Sequence, residues 1–216
     1  MEINKYIEHT LLKQDATKNE LTVLLDEAKQ YKFLGVCINP VNVKFASEYL
    51  KDTGIKIVTV VGFPLGQSTT ATKMLETIDA VRNGADEVDM VLNVGKLKDK
   101  DFSYIMKEIS EIKTACQGKV LKVIIETDLL TTEEIKIASE LCVKGGADFV
   151  KTSTGFVKNG IGAKVEDIKL MYETVKKSGL GVKASGGIRD KETAIKMIEA
   201  GATRIGTSSG VKICSL

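Results

Sequence analysis

The 216-residue chain has four cysteines, Cys37, Cys116, Cys142 and Cys214, far apart and in no CxxC or other recognisable metal-ligand spacing. That argues against a disulfide framework or a cysteine-held metal, and a reduced, intracellular setting is expected. There is almost no excess of charge: Lys+Arg 31 against Asp+Glu 29 leaves +2, so neither a nucleic-acid groove nor an acidic membrane surface is called for. No apolar run approaches the roughly 20 residues of a membrane span, and the opening MEINKYIEHT has no basic segment leading into an apolar one, so a soluble cytoplasmic protein is expected. The fingerprint GxGxxG follows no strand and no Walker A pattern occurs, which disfavours dinucleotide or ATP binding. Histidine appears once, as His9, and is read as a packed or hydrogen-bonded residue rather than a catalytic base.

What the chain does have is a 43% hydrophobic composition at a length that fits one domain, residues 1–216, better than two. Eight short segments, YIEHT, VCIN, IVTVV, VDMVLN, LKVIIE, FVKTS, VKAS and RIGTS, read as strands, most of them near-continuous apolar runs of the kind covered on both faces in parallel sheets. Between them the period becomes helical. Leu21, Leu24, Leu25, Ala28 and Tyr31 share one face, with Thr17 and Glu20 spaced as a capping box and Gly35 as the stop, and Thr131 with Glu134 repeats the box ahead of Ile137, Ala138 and Leu141. NGADEVDMV, GGADFVKTS and AGATRIGTS echo one another: glycine ends a helix and a strand begins. Eight such units without a linker predict a (β/α)8 TIM barrel, an α/β fold, in preference to an open doubly wound sheet.

In a barrel the active site forms where strands deliver their C-terminal ends. Lys151 in FVKTSTGF, Asp89 in EVDMVLNVG and Lys183 in GVKASGGIR are all expected at such ends and at one mouth. Each has a plainer reading. Lys151 could cover apolar surface with its stem while its ammonium reaches water, and Asp89 could cap a helix or pair with a lysine. Together they fit Schiff-base chemistry. A lysine attacks a carbonyl only as the neutral amine, and an ordinary pKa of about 10.4 leaves roughly one in 2,500 neutral at pH 7. Lowering it by about three units costs the ammonium form roughly 4 kcal/mol, which burial and a second cation supply, while a carboxylate with bound water moves the protons. SGGIRD and GTSSG, after the last two strands, offer backbone N–H groups and hydroxyls suited to phosphate, although a glycine pair alone is more simply a tight turn.

The ordered segments GFPLG, NGADEVDMVLNVG, FVKTSTGF, VKASGGIR and IGTSSG, with IEHTLL and VCINP before them, resemble the deoxyribose-phosphate aldolase family over nearly the whole chain. The resemblance implies a class I aldolase on a TIM barrel. Such an enzyme reversibly cleaves 2-deoxy-D-ribose 5-phosphate into acetaldehyde and D-glyceraldehyde 3-phosphate without a metal or organic cofactor. It puts the Schiff-base lysine at Lys151, the second lysine at Lys183 and the proton-relay aspartate at Asp89. Gly186, Gly187, Ser208 and Ser209 would hold the phosphate, Gly155 and Gly206 would shape the loops around it, and Thr154 and Cys37 would line the pocket, Cys37 chiefly as a small buried filler. Many relatives have aspartate where Glu8 stands and proline at Gln14, often cysteine at Asp128, and in some a terminal tyrosine where this chain ends GVKICSL. The partner implied is a small phosphorylated sugar. A homo-oligomer through outer helices is compatible, and another Schiff-base aldolase or transaldolase, or a phosphate-sensing barrel without turnover, are the rival readings.

Overall fold

In the computed structural model, which describes residues 1–215, each of the eight apolar segments overlaps a strand. Leu216, the last residue of the expected domain and of GVKICSL, lies outside the described residues. The strands are β1 Ile7–Leu11, β2 Gly35–Ile38, β3 Lys56–Val61, β4 Glu87–Val91, β5 Val120–Ile124, β6 Phe149–Lys151, β7 Gly181–Ser185 and β8 Arg204–Thr207. All pair in parallel with their sequence neighbours, and β1 pairs with β8 to close the barrel. The helices are α1 Lys18–Tyr31, α2 Val43–Tyr49, α3 Thr70–Arg82, α4 Val94–Lys98, α5 Phe102–Ala115, α6 Thr132–Lys144, α7 Val165–Val175, α8 Lys191–Glu199 and α9 Gly210–Cys214. Among the described residues, no helix is long and apolar enough to cross a membrane.

The helix signals act as their chemistry requires. Thr17 and Thr131 each accept a hydrogen bond from the N–H three residues on, and Glu20 and Glu134 each accept one in return from the capping residue's own N–H. One expected stop is corrected. The residue that ends α1 is Lys32, in the left-handed conformation at φ 52°, whereas Gly35 opens β2. Gly35 is needed there for space, because a Cβ would lie 2.8 Å from the Lys56 carbonyl oxygen on the neighbouring strand. The echoing glycines behave as read: Gly84, Gly146 and Gly201 take φ of 105°, 82° and 115° between a helix and the next strand.

Alternation along the strands sorts side chains into two cores. Val36, Ile38, Val88, Met90, Val123, Val150, Val182 and Ile205 face outward and pack under the helices, including Ile105, Ile109 and Ile112 of α5. Each such side chain, fully buried, contributes about 1.5–3 kcal/mol. The inward-facing set is divided. Cys37, Val58 and Val60, with Leu12 above them, form a small separate apolar cluster on the β2–β3 side, whereas the remaining strands point charged residues at the axis.

Candidate active site

The β1 and β4–β8 side of the interior holds three carboxylates, Glu8, Glu87 and Asp89, and four cations, Lys122, Lys151, Lys183 and Arg204. All are buried except Arg204, which is partly exposed. Strand register brings them together: Asp89 lies beside Lys122, Lys151 beside Lys183, and Lys183 beside Arg204. Asp89 is the hub. Its Oδ1 accepts from Lys122 Nζ at 3.0 Å, and its Oδ2 from Lys151 Nζ at 2.8 Å and Lys183 Nζ at 2.6 Å. Glu8 closes the far side. It accepts from Lys183, while its Oε1 is 3.5 Å from Lys122 Nζ and 3.4 Å from Arg204 Nε, so the longer carboxylate at this position serves three cations. Glu87 pairs with Lys122 at 2.5 Å and Arg204 at 3.4 Å, and the Arg204 guanidinium lies 5.2 Å from the centre of the Phe149 ring.

These contacts fix the charge states. Burial opposes the ionisation of Asp89, but Lys122, Lys151 and Lys183 outweigh it and hold the carboxyl well below the usual range. Burial likewise opposes the ammonium of Lys183, and Asp89 and Glu8 overcome it, holding that group above the ordinary lysine range. Lys122 is raised for the same reason, with Asp89 and Glu8 again the main opponents of burial. Lys122 and Lys183 are therefore fixed cations. Burial pushes the Cys37 thiol up, and it stays protonated inside the apolar cluster.

Two positions differ from the sequence expectation. Lys151 is the last residue of β6, at the mouth, but Asp89 and Lys183 are the middle residues of β4 and β7. Their side chains are fully buried, and the contact with Lys151 is made beneath the mouth. Above lies a cavity of about 710 Å³, within the range of small-ligand sites. Lys151, Thr154, Gly155, Gly186, Gly187, Gly206 and Ser208 line it, whereas Asp89, Lys183, Cys37 and Ser209 do not. Ser209 instead donates its N–H to Thr207 Oγ1 at 2.9 Å, at the start of α9. His9 faces away from the axis, its Nε2 2.7 Å from Glu27 Oε2 and its ring against Phe33.

Sequence reasoning missed Lys122, Glu87 and Arg204 inside the barrel and Lys13 and Arg189 at the cavity rim. The signal for the first two was available. A lysine within the apolar run LKVIIE, and a glutamate two residues before Asp89 on the same strand face, are costly unless they meet.

A model of the DeoC/LacD family aldolases matches residues 3–216. The chain belongs to this aldolase family. Within it, a deoxyribose-phosphate aldolase of Exiguobacterium sp. is 56% identical over 214 residues, 99% of this chain and 96% of the relative. Deoxyribose-phosphate aldolase 1 of Staphylococcus aureus is 55% identical over 213 residues, with the same coverage. Among solved structures, a Coccidioides immitis protein superposes with a TM-score of 0.96 at 42% identity, over 99% of this chain and 85% of the other. The deoxyribose phosphate aldolase from Aeropyrum pernix, described as a tetramer, gives 0.91 at 33% identity over 99% and 89%. The match to this family thus spans all eight strands described above.

Proposed function

We propose that the chain reversibly cleaves 2-deoxy-D-ribose 5-phosphate into acetaldehyde and D-glyceraldehyde 3-phosphate through a Schiff base on Lys151. The observation that carries this reading is that Lys151 alone, among the described residues of the charged network, links the two environments. It touches Asp89 in the buried network and also lines the cavity, whereas Asp89 and Lys183 do only the first. The names of the 55–56% identical relatives supply the substrate.

The network contains one more cation than carboxylates, so a proton can leave while the remaining charges stay matched. Lys151 is the member from which it leaves, since it makes one ion pair while Lys122 makes three and Lys183 two. The neutral amine attacks C1 of the open-chain sugar phosphate, and loss of water from the carbinolamine gives an iminium. Loss of the C3 hydroxyl proton then forms the new aldehyde as the C2–C3 bond breaks, and that electron pair moves to C2 as the enamine. Glyceraldehyde 3-phosphate leaves, C2 is protonated, and hydrolysis frees acetaldehyde and Lys151. Asp89 Oδ2, in contact with Lys151 Nζ, is placed to take up the proton that Lys151 releases and to return it, while Lys183 stays charged on the same oxygen. In the buried setting it does so without reorientation of solvent. Phosphate held by Gly186, Gly187 and Ser208 keeps the reacting carbons in register.

Borohydride reduction in the presence of acetaldehyde, followed by peptide mapping, tests the assignment. The two-carbon adduct is expected on Lys151, and Lys151→Ala is expected to lose both the adduct and at least about 10³-fold in cleavage rate. An adduct on another lysine removes the assignment. Cleavage that releases no acetaldehyde removes the substrate.

A further inference from the structure

The loops above β5 and β6 are tied together by a pair of carboxylates outside the charged network. β5 is followed by one 3-10 turn, Thr127–Leu129. At its start Glu126, with a left-handed backbone at φ 60°, accepts the Thr154 N–H at 3.1 Å and the Thr154 hydroxyl at 2.5 Å. Asp128 takes the other end of the same loop. Its Oδ1 accepts the Ile161 N–H at 3.2 Å and its Oδ2 the Gly162 N–H at 2.8 Å. Between these attachment points, residues 155–160 form neither helix nor strand.

The end that Asp128 holds is seated on the loop after β7. Ala163 donates its N–H to the Gly186 carbonyl at 3.1 Å. A Cβ on Gly162 would collide with the Gly186 backbone, and one on Gly187 with the Ile161 carbonyl oxygen, so backbone meets backbone with no side chain between. Gly186 and Gly187 have φ of 84° and 76°, a conformation open to glycine and held here by what packs against it.

We propose that Asp128 is a positioning residue for the anion-binding end of the cavity. Its carboxylate fixes Ile161 and Gly162, and these fix the direction of the Gly186–Gly187 peptide groups. This rests on the reading that those glycines hold the substrate phosphate, and it deepens that reading. Backbone N–H groups bind an anion tightly when they already converge before it arrives, because ordering them on binding subtracts from affinity. A carboxylate suits the task, having one oxygen for each of two successive N–H groups in charge-assisted bonds.

The test is kcat/KM for 2-deoxyribose 5-phosphate and for unphosphorylated 2-deoxyribose, on the wild type, Asp128→Ala and Asp128→Asn. The preference for the phosphorylated sugar is expected to fall about tenfold in Asp128→Ala, as higher KM rather than lower kcat, the order expected from losing a hydrogen bond to a charged group. It is expected to recover in part in Asp128→Asn, whose amide oxygen accepts one of the two N–H groups. Equal losses on both sugars indicate a merely structural residue and overturn the proposal. A wild-type preference that survives in both variants also overturns it, while leaving the phosphate reading intact. A wild type that does not prefer the phosphorylated sugar overturns the phosphate reading and this proposal with it. If Asp128→Ala does not fold, Asp128→Asn decides: its preference must fall about threefold, the rough equivalent of one weakened bond.

Discussion

The two halves of the barrel interior are built from the same strand geometry and obey opposite rules. On the β2–β3 side, Cys37, Val58, Val60 and Leu12 pack by shape alone. Across the axis, Glu8, Asp89, Lys122 and Lys183 are equally buried but survive only as a set, because each carboxylate answers more than one cation. An apolar half adapts to a change of volume. A charged half does not adapt to the loss of a partner, since the residual charge has no water to turn to. The halves also depend on each other. By excluding solvent, the apolar side keeps the local dielectric low, which makes each contact of Asp89 stronger than it would be at a surface.

The sharpest test of this contrast is Asp89→Asn. The amide preserves shape but removes the charge facing Lys122, Lys151 and Lys183. A loss of about 3–5 kcal/mol in denaturant unfolding is expected, with at least a 100-fold fall in cleavage rate from the missing proton carrier. Stability within about 1 kcal/mol of the wild type would show that the charged side is no less tolerant than the apolar one. Cys37→Ser makes the matching change across the axis, placing one hydroxyl in the apolar cluster with no loss of charge, because the Cys37 thiol is neutral there. The expected cost is about 1–3 kcal/mol. A loss as large as that of Asp89→Asn would erase the distinction.

The sequence revealed the fold more readily than the depth of the site. Eight apolar runs, two capping boxes and three repeated glycine endings are local signals, and each specifies its element through contacts within a few residues. Lys151 stood out for a similar reason, since it interrupts an apolar run at a strand end. Depth was not legible. Whether Asp89 ends a strand or occupies its middle depends on how far β4 continues alongside β5, a pairing between residues 33 apart for Asp89 and Lys122. Lys122 and Glu87 left a signal as charges within apolar strands, but their partners, like that of Arg204, were hidden for the same reason: a single charged residue in a strand is explained only by partners on other strands. The loop clasp is more remote still, because Asp128 reads as an ordinary turn residue until the chain returns at Ile161 and Gly162.

The smallest effect expected concerns the alkaline limit of stability. The Lys183 ammonium is held above its ordinary value of 10.5 in the folded chain. Below about pH 10.5 the folded and unfolded chains both carry the proton, so the stabilisation is fully present. As pH rises further, the unfolded chain releases its proton first, and the stabilisation is lost on the way to the folded value. Asp89 works in the opposite sense. Its carboxyl is held below the ordinary 3.8, so its contribution is present above that pH and lost as pH falls through the folded value. Lys183→Met should therefore flatten the alkaline side and leave the acid side governed by Asp89. One proton corresponds to at most about 1.4 kcal/mol per pH unit, so urea midpoints between about pH 9.5 and 11.5 should separate the two proteins by roughly 1 kcal/mol in how much stability each loses. Equal alkaline slopes would mean that Lys183 is not held as a cation by Asp89 and Glu8, and the charged half would then be no more than a set of close distances.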